Sequence, residues 1–301
     1  MILQTVNLSH IYGSGTPFAR EALHAVNFSL EEGLFTGLIG HTGSGKSTLI
    51  QHLNGLLKPA SGEVLFAGRS IWEDPKAVRR IRFQVGLVFQ YPEHQLFEET
   101  VERDIAFGPR NMGLTEVEIA LRVREAMEFV GLSPSLKGAS PFDLSGGQRR
   151  RAAIAGVIAM RPQVLILDEP TAGLDPQGRE EILRHLRDYH RSRGATVLLV
   201  THSMEDIARV CDRITVLSDA RVRMSGTPGE VFSQPERLRE IGLEAPAITR
   251  VMQRLRAMGV DINDRVYTLG AARDELLRAR RRLLSARRES GEKGPGGTAE
   301  C

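Results

Sequence analysis

Gly40-His41-Thr42-Gly43-Ser44-Gly45-Lys46-Ser47-Thr48 follows an apolar run at residues 34–39 and precedes a stretch of apolar residues at helical spacing. Strand, glycine loop and helix in that order are what a nucleoside triphosphate requires. Gly40, Gly43 and Gly45 let the backbone curl until successive N–H groups point inward, and a helix opening near Lys46 adds the positive end of its dipole. Lys46 would reach the β- and γ-phosphates, and the Ser47 hydroxyl would take one position on Mg²⁺. His41, Thr42, Ser44 and Thr48 complete the expected phosphate-binding loop.

The 301 residues suffice for one large domain and a small appendage. The longest apolar stretches, near 152–160 and 196–200, are far short of the roughly 18 to 20 residues that span a bilayer. The opening residues lack the pattern of a secretory signal, so a cytoplasmic chain is expected. Two cysteines, Cys211 and Cys301, suggest neither a disulfide framework nor a metal site. Net charge is only +3, but residues 273–288 carry seven arginines against Asp274 and Glu275. That basic stretch lacks the interleaved aromatics of a single-strand binder, and no nucleic acid is expected.

Short apolar or alternating runs predict strands at 3–8, 23–30, 34–39, 62–66 and 85–89. From 100 to 160 the spacing turns helical, with Thr115 and Glu118 set as a capping box. Strands resume at 164–167, 196–200 and 214–217, with helices near 177–193 and 204–211, which implies a parallel sheet covered by helices. Beyond Gly226 the pattern predicts two short helices within 228–241, a third at 248–258 and a basic one at 274–284. Residues 291–301 are Gly-rich and expected to be disordered.

Leu144-Ser145-Gly146-Gly147-Gln148 places two glycines and a serine before a helical stretch, a second anion-binding corner in a chain that already has one. Val164-Leu165-Ile166-Leu167-Asp168-Glu169 is an apolar strand ending in two carboxylates, delivered to the edge where α/β sheets bind ligands. Asp168 fits a Mg²⁺ ligand acting through water, and Glu169 a general base for the attacking water. Thr201-His202 ends another strand, where an imidazole can meet a γ-phosphate. With these motifs in one order, the sequence resembles the ABC-type ATPases over about residues 2–235. The resemblance implies that Ser145, Gly146, Gly147 and Gln148 contact the γ-phosphate held by a partner subunit's loop. It also makes Asp175, in Ala172-Gly173-Leu174-Asp175, part of a loop along the dimer interface. Gln90 resembles the family's glutamine that touches Mg²⁺ or water. Tyr12, 28 residues before Gly40, resembles its adenine-stacking aromatic.

Within that family, Gly-Thr-Pro-Phe at 15–18, His52-Leu53-Asn54-Gly55-Leu56-Leu57, residues 89–101 and Ile105-Ala106-Phe107-Gly108-Pro109 resemble the ATPase subunits of energy-coupling factor importers. That group includes the cobalt-importer ATPases. Thr42 and Glu98-Glu99-Thr100 favour the second of the two paralogous ATPases. The implied fold is α/β: an antiparallel β subdomain, a RecA-like parallel sheet, a helical insertion and a small C-terminal helical extension. The implied division is a nucleotide-binding domain at 1–235, with its insertion at about 91–160, and a dimer-contact extension at 236–290. The implied ligands are ATP and Mg²⁺. The implied partners are a second ATPase subunit, a transmembrane coupling protein (T component) and substrate-binding membrane proteins (S components) for vitamins or metal ions. The chain would lie on the cytoplasmic side of the cell membrane as a peripheral protein. A P-loop kinase or GTPase leaves residues 144–148 and 172–175 without purpose. The alternative is a soluble, non-transport ABC ATPase acting on ribosomes or nucleic acid; in the family ribosome-acting members usually carry two cassettes and DNA-repair members a long coiled coil, and this sequence shows neither.

Overall fold

The computed structural model describes residues 1–289, so the expected tail at 291–301 lies outside the described residues. The chain divides into two units, one of residues 1–227 and one beginning at Pro228.

The first unit opens with β1 (Leu3–Tyr12) and β2 (Arg20–Leu30), then β3 (Phe35–Ile39), α1 (Lys46–Leu53), β4 (Ser61–Phe66) and β5 (Arg69–Ser70). It continues through α2 (Pro75–Gln84), β6 (Val85–Val88), α3 (Val101–Asn111), α4 (Glu116–Phe129) and α5 (Gly146–Ile158). It closes with β7 (Val164–Asp168), α6 (Pro176–Arg193), β8 (Thr196–Val200), α7 (Met204–Val210), β9 (Arg213–Ser218) and β10 (Arg221–Gly226).

Two sheets result. An antiparallel one runs β2-β1-β4-β5, and a six-stranded one runs β10-β9-β3-β8-β7-β6. In the second, β3 pairs in parallel with both β8 and β9, and β7 with β6 and β8; only β10 runs antiparallel, at the edge. Every residue of β3, β6, β7 and β8 is buried, as strands covered on both faces must be. One apolar core joins Leu3, Leu23 and Val64 of the antiparallel sheet to Leu38, Ile166 and Leu198 of the parallel one, with Leu49, Ile50 and Leu53 of α1 between them. The loops at the C-terminal ends of β3, β7 and β8 therefore open on one edge, beside the tip of β1.

The capping box on α4 forms: the Glu118 backbone N–H donates to Thr115 Oγ1 at 3.3 Å, and the Thr115 N–H to Glu118 Oε2 at 2.9 Å. Several elements depart from the sequence expectation, the two-residue β5 among them. β1 continues past residue 8 to Tyr12, through register shifts that mask its alternation. α2 forms on a polar segment because Asp74 accepts from the Lys76 N–H at its start. β10 returns through a two-residue turn.

The second unit holds α8 (Pro228–Phe232), α9 (Pro235–Glu240), α10 (Ala247–Ala257) and α11 (Leu269–Glu289). Its core is Met252, Ile262, Val266, Ala272 and Ala279. No helix among the described residues is long and apolar enough to cross a membrane.

Candidate functional site

The glycine loop leaves β3 at Gly40 and enters α1 at Lys46. A Cβ at Gly40 would stand 2.1 Å from the Leu217 carbonyl oxygen, and one at Gly45, where φ is +104°, 2.4 Å from that of Ala22. Only glycine fits either place. Ser44 is buried beneath the curl with its hydroxyl unpartnered. The Lys46 ammonium donates to the carbonyls of Gly40 at 2.7 Å and His41 at 2.9 Å, inside the loop it would serve. Burial pulls its pKa down, against the upward pull of Glu169 and Asp168.

The loop forms one wall of a cleft of about 480 Å³ that also receives Tyr12, Gln90, Asp168, Glu169 and His202. Ser47 Oγ donates to Asp168 Oδ2 at 3.2 Å. Burial pushes the Asp168 carboxyl above its ordinary value, an effect that the Ser47 hydrogen bond only partly offsets. These two hard oxygen donors suit Mg²⁺ held jointly with phosphate oxygens. Glu169 stands in a left-handed backbone conformation, φ +49°, directly after β7. Its Oε1 accepts from the His202 backbone N–H at 3.0 Å and Nδ1 at 2.8 Å, and its Oε2 from Thr201 Oγ1 at 3.2 Å. A carboxylate accepts there, so Nδ1 presents its proton to Glu169 and Nε2 of the exposed imidazole is turned away from it. Tyr12 edges the cleft, its hydroxyl 3.3 Å from Thr48 Oγ1.

Arg20 was not expected. It sits opposite Tyr12 in the β1–β2 register and lines the cleft beside Gly43, whose added Cβ would lie 3.3 Å from its Nη2. A motif scan passes over it, because no local pattern marks a residue brought in by strand register.

Ser145, Gly146, Gly147, Gln148 and Asp175 are not among the residues lining this cleft. Ser145 caps α5 by accepting from the Gln148 N–H at 3.3 Å, while Gln148 Oε1 accepts from the Ser145 N–H at 2.9 Å. A Cβ at Gly146 or Gly147 would meet nothing within 4 Å. Asp175 caps α6, accepting from the Gly178 N–H at 2.7 Å.

The family model described as ABC transporter matches residues 23–172. The chain is 54% identical over 278 residues to the energy-coupling factor transporter ATP-binding protein EcfA2 of Caldanaerobacter subterraneus, covering 92% of this chain and 97% of that one. To the protein of the same name from Clostridium perfringens it is 52% identical, covering 92% and 98%. Among solved structures, cbiO1 of Clostridium perfringens, part of the ABC transporter complex cbiONQ, aligns with TM-score 0.71 at 41% identity over 84% of this chain and 98% of its own. The ATP-binding cassette MJ0796, a dimer bound to ADP and Pi, aligns with TM-score 0.68 at 29% identity, over 75% and 98%. Identity of this depth over nearly the whole length leaves one conclusion: the chain belongs to the ABC ATPases, among the ATP-binding proteins of energy-coupling factor transporters.

Proposed function

We propose that the chain hydrolyses ATP in a cleft completed by a second ATPase subunit and that this cycle drives import through a transmembrane coupling protein served by exchangeable substrate-binding membrane proteins. The observation that carries it is the convergence of Lys46, Ser47, Gln90, Asp168, Glu169 and His202 on one cleft, while the Ser145 corner is absent from its lining. Tyr12 would stack on adenine, the loop of Gly40 to Thr48 would wrap the phosphates, and Ser47, Gln90 and Asp168 would hold Mg²⁺, which supplies charge neutralisation for phosphoryl transfer when bound. Glu169, fixed by Thr201 and His202, accepts the proton of the attacking water, and His202 Nε2 faces the γ-phosphate side. Ser145, Gly146, Gly147 and Gln148 of one subunit then close on the triphosphate of the other, with Asp175 along the seam.

We take residues 1–235 as the nucleotide-binding domain, its insertion at 91–160, and 236–290 as a dimer-contact extension. A groove of about 320 Å³ between the 95–97 segment and the helices α3 and α5, with exposed Phe97 and Phe107 at its mouth, suits an apolar helix of the coupling protein. Docking there would hold the chain peripherally at the cytoplasmic face of the cell membrane.

Glu169→Gln tests the chemistry. Nucleotide binding stays within about twofold, while turnover falls by about 10² to 10⁴, the size of a lost general base. A variant that hydrolyses ATP at the parent rate overturns the assignment.

A further inference from the structure

Between the groove and the cleft lies a buried ionic group that neither of them employs. Arg150, on α5 five residues after Ser145, is 3% exposed. Its Nε donates to Glu93 Oε2 at 3.0 Å and its Nη2 to Glu93 Oε1 at 2.6 Å, a two-pronged pair. Its Nη1 donates to the carbonyls of Pro170, at 3.4 Å, and Ala172. The guanidinium carbon stands 5.9 Å from the centre of the Tyr91 ring.

Glu93 belongs to a short 3₁₀ turn, Pro92–Gln95, that begins two residues after Gln90. Pro170 adjoins Glu169, and Ala172 opens the loop to Asp175. One side chain therefore fastens three segments: the helix behind the Ser145 corner, the turn behind Gln90, and the chain leaving Glu169. The same contacts continue beyond it. Thr171, between the two carbonyls, donates to Asp206 Oδ2 at 3.3 Å, Asp206 accepts from Arg179 Nε at 2.9 Å, and Arg179 also reaches the hydroxyl of Ser203, next to His202.

Fold stability alone gives little reason for such a pair, since desolvating both ions consumes most of their attraction and apolar residues would hold the same place as well. What the pair supplies is geometry. A planar fork with several donors fixes direction as well as distance, which a lysine cannot do. Burial by itself would raise the Glu93 carboxyl, yet the hydrogen bonds and charge of Arg150 hold it below its ordinary value, which favours the carboxylate.

We propose that the Arg150–Glu93 pair is a positioning element that locks the Ser145 corner, the Gln90 turn and the loop after Glu169 into one register, so that a partner seated in the groove is felt at the site of hydrolysis. This rests on the reading of the cleft given above. Arg150 touches no reacting atom; it acts through the three segments it joins. The Gln95–Phe97 side of the groove lies within four residues of Glu93, so displacement there reaches α5 through a rigid contact rather than a flexible loop.

The test uses the chain assembled with its ATPase partner and the membrane coupling protein, comparing Glu93→Gln, Arg150→Lys and the double variant with the parent and with Glu169→Gln. Glu93→Gln keeps the shape and an acceptor oxygen, which protects folding; rates are referred to nucleotide-binding capacity, so an unfolded fraction drops out. At saturating ATP each single variant is expected to lose about tenfold or more in hydrolysis, as misplaced reacting groups do. KM for ATP and nucleotide affinity should move by less than about twofold, and the double variant should be no slower than the slower single one, as for two ends of one contact. Parent-like rates in both single variants, losses confined to KM, or losses that multiply in the double variant would each overturn the proposal. If Glu169→Gln is inactive while these variants run normally, only this inference falls; if Glu169→Gln itself runs normally, the reading of the cleft falls with it.

Discussion

The two glycine corners of this chain use the same residue for opposite reasons. In the cleft, Gly40 and Gly45 are demanded from within, because a Cβ there would run into the carbonyls of Leu217 and Ala22. At the head of α5, Gly146 and Gly147 have open space around them, so nothing inside the chain asks for glycine. Under the proposed function, glycine there would let a phosphate on a partner's loop come close to the first N–H groups of the helix. The cleft is strained and half-buried. The corner is relaxed, with its capping box already satisfied. In the proposed site one of each meets across two subunits.

The sharpest way to break this contrast is Ser145→Arg on one member of an assembled pair. Hydrolysis at the opposite loop should fall by about 10² or more, in line with lost transition-state contacts, while the variant chain by itself binds nucleotide as the parent does. An unchanged rate would leave the corner with a local capping role only. The next comparison sets Gly40→Ala against Gly147→Ala in thermal unfolding of the nucleotide-free chain. Gly40→Ala should cost about 2 kcal/mol, as overpacking does, or about 4 to 8 °C of Tm for a unit of this size. Gly147→Ala should shift Tm by no more than about 1 °C and act only on hydrolysis by the pair. Equal losses of Tm in both would dissolve the distinction.

The smallest effect concerns charge in the cleft. Because burial raises the Asp168 carboxyl, the native chain holds that proton more tightly than the unfolded one. Stability from this group is then greatest below its ordinary value and declines as pH rises toward the raised native value. Asp168→Asn keeps an acceptor for Ser47 and removes the penalty. It should therefore raise the Tm of the nucleotide-free chain at neutral pH, and the gap should close as pH falls through the acidic range. A lower Tm at neutral pH would contradict this account.

Much of the cleft could be read from the sequence because its parts are local. A glycine loop, Asp168-Glu169 after an apolar strand, and Thr201-His202 at another strand's tip are each written in consecutive residues. Arg20 and the Arg150–Glu93 pair could not be read, since strand register brings in the first and the second joins residues far apart in the chain. β10 was hidden by chemistry of another kind. Its turn is Asp219-Ala220, both at positive φ, and the Gly or Asn that normally marks such a hairpin is missing. α2 was hard to read because its arginines and lysine are as many as its apolar residues and interleave with them, and Asp74 with Pro75 is the one local sign of its start.

The strand order of the parallel sheet also bears on how the protein is made. β3, which carries the glycine loop, finds its neighbours only when Phe35 meets Val197 and Thr36 meets Arg213. At about 5 to 20 residues per second, a ribosome leaves that strand, wholly buried in the finished fold, unaccompanied for on the order of ten seconds. A nascent chain halted before β8 therefore displays a bare, sticky segment, which makes it a natural client for chaperones.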